Sequence, residues 1–98
     1  MQLSKEIILQ KLRVIKPTLQ QKYNLTELAL FGSYASDEQA ALSDIDIMVK
    51  ISTPNFKNYS NIYHSLEEVF PRISVQVLSR GAIRPQYFEY VEPDLLYA

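Results

Sequence analysis

The stretch from Leu28 to Ile51 reads LALFGSYASDEQAALSDIDIMVKI and decides the fold. It opens with a short apolar run, Leu28 to Phe31, ended by Gly32, the pattern of a buried strand that turns sharply. Ser33 to Leu42 then reads as a short helical turn and loop. From Asp44 to Ile51, the residues Asp44, Asp46, Met48 and Lys50 alternate with Ile45, Ile47, Val49 and Ile51. Successive strand residues point to opposite faces, so one face is β-branched and apolar while the other begins with two acids.

Before this stretch, Ile8, Leu12, Ile15, Leu19 and Tyr23 recur at steps of four, three, four and four, lining one face of a helix from Leu3 to Tyr23. Ser4 is its N-cap and Asn24 its stop. Pro17 lies inside the pattern, lacks an N–H and disfavours helical geometry at Lys16, which predicts a kink or a break. After it, Thr53 to Lys57, with Pro54 and Asn55, reads as a loop. Tyr59, Ile62, Tyr63, Leu66, Val69 and Phe70 then predict a second amphipathic helix closed by Pro71. Ile73, Val75 and Val77 alternate with Ser74, Gln76 and Leu78 in a third strand that Gly81 ends. A short helix follows from Pro85 to Val91, and the tail Asp94 to Ala98 can add an edge strand. Alternating helices and strands predict an α/β (α+β) fold, a small mixed β-sheet with helices packed on it. Residues 1–98 carry no repeat or linker and read as a single domain.

Composition narrows the function classes. At 47% hydrophobic and 21% charged the chain is made to fold, since disordered chains combine low hydrophobicity with high charge. A formal charge of -1 provides no general attraction to nucleic acid or to an anionic membrane. The absence of cysteine removes disulfides, thiolate zinc sites and cysteine nucleophiles together and suits a reducing compartment. The opening residues mix charge into their apolar positions, unlike a signal peptide or membrane span, and the expectation is a soluble, cytoplasmic protein.

The chemistry concentrates where the fold turns. One residue apart on a strand, Asp44 and Asp46 project their carboxylates from the same face, with Cα atoms roughly 7 Å apart. Mg²⁺ binds one or two carboxylates together with phosphate oxygens, and paired metals can clamp the attacking and leaving oxygens of phosphoryl transfer. Directly after a buried strand, Gly32 lets backbone approach a phosphate, and Ser33 adds a hydroxyl beside free N–H groups. An aspartate pair alone is more often a solvated strand face, and a lone Gly-Ser more often a turn. Together, with an apolar strand before the glycine and Ser43 immediately before the aspartates, they describe a nucleoside triphosphate site.

The same residues, LALFGSYASDEQAALSDIDIMV, resemble the signature of the minimal nucleotidyltransferases (MNT), small relatives of the DNA polymerase beta superfamily. The resemblance implies a nucleotidyltransferase fold in which Gly32, Ser33 and Ser43 hold the nucleotide, expected to be ATP, and Asp44 and Asp46 are catalytic and hold two Mg²⁺ ions. It also implies a helical partner of the HEPN type, as in toxin-antitoxin pairs in which nucleotide is transferred to a tyrosine of the partner. Two departures stand out. The family's third metal carboxylate falls on the later strand, where Gln76 stands; an amide can offer an oxygen but cannot neutralise a cation or accept a proton. Where the family has arginine and glycine after tyrosine-alanine, this chain has Ser36 and Asp37, and an acid there opposes a triphosphate by like-charge repulsion.

Two functions follow from these residues. One is an enzyme that transfers a nucleoside monophosphate to an acceptor hydroxyl, with catalysis impaired by Gln76. The other is a non-catalytic, antitoxin-like protein that neutralises or regulates a helical partner; a generic α/β domain with surface aspartates is the bland alternative. Elsewhere, His64 has no second ligand at metal spacing and reads as a surface residue, as do Glu67 and Glu68. Arg72, Arg80 and Arg84 read as solvated. Tyr87, Phe88 and Tyr90 cluster near the end and read either as core or as a protein-binding surface, with a partner surface favoured.

Overall fold

A computed structural model describes residues 3–40 and 43–98, so Leu42, at the end of the expected loop, lies outside the described residues. Helix α1 (Lys5–Tyr23) is capped by Ser4, whose Oγ accepts from the Ile7 N–H at 3.3 Å. Asn24 ends it in the left-handed region at φ 60°, with its N–H on the Leu19 carbonyl oxygen. The break expected at Pro17 does not occur, and α1 runs through it. Pro17 lies on the exposed side, where the carbonyl it leaves unpaired meets water, while Leu12 and Leu19 on the buried side hold both halves to the core.

Strand β1 (Leu25–Phe31) starts three residues earlier than the apolar run, and the four-residue helix α2 (Gly32–Ala35) follows without a gap. Strand β2 (Ile45–Ile51) begins one residue after Asp44. Helix α3 (Phe56–Val69) begins inside the expected loop, because the Asn55 side chain accepts from the Asn58 N–H at 2.8 Å and caps the helix. Strand β3 (Val75–Ser79) leaves Ile73 outside, a 3₁₀ turn spans Arg80–Ala82, and helix α4 (Pro85–Val91) starts with proline at its first position. A second 3₁₀ turn, Glu92–Asp94, leads into the two-residue edge strand β4 (Leu96–Tyr97).

The sheet order is β3-β2-β1-β4. β1 is antiparallel to both β2 and β4, and β2 is parallel to β3, so the sheet is mixed as expected. Ile45, Ile47 and Val49 face a core built with Leu28 and Leu30 of β1, Ile8, Leu12 and Leu19 of α1, and Ile62 and Leu66 of α3. The opposite face is only partly covered. There Ala29, Met48 and Leu95 form a second, smaller cluster with Phe31, Ile83, Phe88 and Val91. The strand alternation therefore leaves Asp46 on the face without α1 and α3, at the end of β2 where Phe31, at the margin of this smaller cluster, is its register partner.

Candidate active site

Antiparallel pairing of β1 with β2 places Phe31 opposite Asp46, so the turn at Gly32 and the acids at the start of β2 meet at one end of the sheet. Their approach is close enough to require glycine. A Cβ at Gly32 would overlap Asp46 Oδ2 and stand 3.0 Å from its Cγ, and φ at Gly32 is +75°, which L side chains rarely adopt. Gly32 thus leaves room for the Asp46 carboxylate and turns the chain into α2 in one step. Ser33 is the second residue of α2, in the first turn, where the N–H groups have no intrahelical acceptor.

Parallel pairing of β2 with β3 sets Gln76 beside Asp46 in register. The Gln76 amide Nε2 donates to Asp44 Oδ2 at 2.8 Å. The two acids and the residue at the expected third-ligand position therefore converge, although Gln76 and Asp44 are 32 residues apart. Partial burial, and then the charge of Asp44, push the Asp46 carboxyl above its ordinary pKa. A site that disfavours the charged form of one of its own acids is a site that a divalent cation would relieve.

The donor set fits one Mg²⁺. Asp44 and Asp46 would give the two carboxylates such an ion takes beside phosphate oxygens, and the missing Cβ at Gly32 makes the room that the Asp46 carboxylate occupies. It does not match a pair of ions held by three acids: no group of three or more His, Cys, Asp or Glu able to hold a metal occurs among the described residues. Gln76, instead of adding charge, directs an N–H at Asp44.

Other expected residues divide. Ser43 turns inward on its own loop, its Oγ accepting from the Ala40 N–H at 2.8 Å and its N–H donating to the Ala40 carbonyl oxygen at 3.1 Å. Asp37 is not a free acid: it is paired with Lys5 at 2.8 Å. Arg80 is not simply solvated, since its Nη1 reaches both Glu27 oxygens, at 2.6 and 2.8 Å, and its guanidinium lies 4.3 Å from the Phe88 ring centre. Arg72 and Arg84 are exposed, as are Glu67 and Glu68, and His64 is exposed with its Nδ1 3.1 Å from Glu67. The aromatic cluster splits: Phe88 packs on the sheet, whereas Tyr87 and Tyr90 are exposed. A concavity of about 480 Å³ beside α1, lined by Ile7, Lys11, Val14 and Val69, lies on the helical layer and carries none of this chemistry. No helix among the described residues is long and apolar enough to cross a membrane.

Comparison with known proteins identifies the family and the fold. The chain is 38% identical over 88 residues to a protein of Methanocaldococcus jannaschii named "Putative protein adenylyltransferase MJ0128", covering 88% of this chain and 89% of that one. Its fold matches a structure described as a "putative minimal nucleotidyltransferase" with a TM-score of 0.79 at 19% identity, covering 96% of this chain and 95% of the other. It also matches, with a TM-score of 0.60 at 20% identity over 92% of this chain and 69% of the other, a structure of a tri-AMPylated Shewanella oneidensis HEPN toxin in complex with its MNT antitoxin. The fold is that of the minimal nucleotidyltransferases. Residues 13–91 match the family model described as polymerase beta, nucleotidyltransferase, and the chain belongs to that family.

Proposed function

We propose that this chain binds Mg-ATP at the sheet end formed by Gly32, Ser33, Asp44 and Asp46, and transfers AMP slowly to an acceptor hydroxyl on a HEPN-type helical partner. The observation that carries this reading is the contact between the turn and the acid: a Cβ at Gly32, the glycine of the phosphate cradle, would strike Asp46. Phosphate oxygens at the cradle and a cation at the carboxylates then share one space. Residues 1–98 act in this reading as one domain, in the cytoplasm, where ATP is abundant.

In the transfer, the acceptor hydroxyl loses its proton to solvent, its oxygen forms a bond to the α-phosphorus, the bond from that phosphorus to the α,β-bridging oxygen breaks, and pyrophosphate leaves. Bound Mg²⁺ supplies charge neutralisation to the phosphate oxygens. Gly32 gives the phosphates access to backbone, Ser33 donates its hydroxyl and N–H, and Ser43 braces the loop that leads into Asp44 through its contacts with Ala40. Asp44 and Asp46 would hold the cation. Gln76 is the weak point, because a neutral amide cannot take the proton of the acceptor hydroxyl, and a positioned base contributes about 10²–10⁴ in rate. The tri-AMPylated toxin in the structure from Shewanella oneidensis motivates the partner and the transferred group.

A second reading is favoured by one specific observation, the hydrogen bond from Gln76 to Asp44. It describes a non-catalytic, antitoxin-like protein that retains the nucleotide site and controls its partner by binding. Calorimetry with Mg-ATP separates both readings from an inert surface. Wild type should bind and Asp44→Asn should lose binding, with the melting temperature in the absence of ligand little changed, because Asp44 makes no core contact. Equal affinity in the two proteins would remove Asp44 from the metal site.

A further inference from the structure

The loop after α2 doubles back on the phosphate cradle. The Glu38 N–H donates to the Ser33 carbonyl oxygen at 2.8 Å, and the Ser36 hydroxyl donates to the carbonyl oxygens of Gly32 and Ser33, each at 3.3 Å. Asp37, between them, adopts φ 60°, a left-handed conformation that aspartate tolerates better than most side chains. Its carboxylate accepts from Lys5 Nζ at 2.8 Å. α1 turns at Asn24 directly into β1 and packs against it, which returns the first turn of α1 to the end of the sheet where β1 stops. A lysine 32 residues away is thereby brought to the loop that carries the cradle.

The charge balance at that loop needs such a group. A Mg-bound triphosphate keeps net negative charge, and the cradle offers hydroxyls and N–H groups, which donate but carry no charge. Ser36 supplies none, and Asp37 adds a negative one. Among the described residues, Lys5 is the one cation in ion-pair contact with this loop. We propose that Lys5 binds the terminal phosphates of the nucleotide and that Asp37 holds it beside the cradle until they arrive. This deepens the Mg-ATP reading and rests on it.

The pair has the properties such an exchange requires. Both side chains meet solvent, 32% exposed for Lys5 and 58% for Asp37, and an exposed pair of this kind is worth at most about fivefold in an equilibrium constant. A multiply charged phosphate with several oxygens outcompetes one carboxylate on such terms. The hydrogen bond from Lys5 to Asp37, and then the Asp37 charge, hold the Lys5 ammonium above its ordinary pKa, so it stays charged. Its flexible stem and three donors let it change partners without moving the helix.

Calorimetry with Mg-ATP on wild type, Lys5→Ala, Lys5→Arg and Asp37→Asn tests the assignment, with melting temperatures taken to confirm folding. Lys5→Ala should weaken binding about tenfold, the scale of a lost charge-assisted hydrogen bond, and Lys5→Arg should restore most of it. Asp37→Asn should leave affinity unchanged or raise it up to about fivefold, because it removes a competitor for Lys5 and a repelling charge. The opposite signs matter: a clamp that merely steadies the loop would weaken binding in Lys5→Ala and Asp37→Asn alike. Parallel losses, or a Lys5→Ala protein with wild-type affinity, would overturn the role of Lys5 and leave the Mg-ATP site standing. A folded wild type that binds no Mg-ATP would sink the site itself and this inference with it.

Discussion

Replacing Gly32 by alanine tests the geometry of the site at its tightest point. Two costs add. The backbone sits at φ +75°, where a residue with a Cβ is about 1–2 kcal/mol worse than glycine. The new Cβ would overlap Asp46 Oδ2 and crowd its Cγ at 3.0 Å and its Cβ at 3.2 Å. The carboxylate can relieve this only by swinging off its rotamer, at about 0.5–1.5 kcal/mol. The sum is about 1.5–3.5 kcal/mol, which for a domain of this size lowers Tm by about 6–28 °C. Urea denaturation of wild type, Gly32→Ala, Asp46→Ala and the double variant separates the two parts. In the Asp46→Ala background the collision with the carboxylate is gone, so Gly32→Ala should cost only the backbone part. The coupling between the two sites should be about 0.5–1.5 kcal/mol. Mg-ATP binding should be lost in Gly32→Ala, because the displaced carboxylate no longer faces the cradle. A Gly32→Ala protein as stable as wild type, or costs that add without coupling, would refute the claim that this glycine exists to admit Asp46.

Two further variants test other parts of the structure. Gln76→Asp replaces the N–H donor to Asp44 by a third carboxylate, so without metal its Tm should fall through like-charge repulsion and with Mg²⁺ it should recover by more than wild type gains. The same variant should raise or create transfer of labelled AMP to a partner protein, whereas robust wild-type transfer that Gln76→Asp leaves unchanged or reduces would show that Gln76 does not limit catalysis. Arg80→Ala should cost about 1–2 kcal/mol in urea denaturation, from the lost Glu27 pair and the stacking on Phe88, softened by Lys50, which stands 3.6 Å from Glu27. Its Mg-ATP affinity should stay at the wild-type value, because Arg80 lies beyond the opposite end of β3 from Gln76.

How much of this was legible in the residues differs from feature to feature. The alternation from Ile45 to Ile51 placed Asp44 and Asp46 on the face away from the helices, because side-chain direction along a strand follows from backbone geometry alone. The helix caps Ser4 and Asn24 were equally readable, since each acts within a few residues of its own position. Pro17 misled because the rule against proline is local, whereas the packing of Leu12 and Leu19 on either side of it is not. Asn55 was read as part of a loop when its side chain was the signal for a helix start.

The sequence by itself determined which residues could do chemistry and which way each strand presents them, because propensity, alternation and capping are properties of neighbours in the chain. Only the tertiary structure decided who meets whom. The register that sets Gln76 beside Asp46, the hydrogen bond from Gln76 to Asp44, the ion pair of Lys5 with Asp37 and the grip of Arg80 on Glu27 join residues 30 to 53 positions apart. Such pairings depend on how β1, β2 and β3 align and on where α1 returns its first turn, and those alignments come from burying one shared core, a constraint that no local stretch of the chain contains.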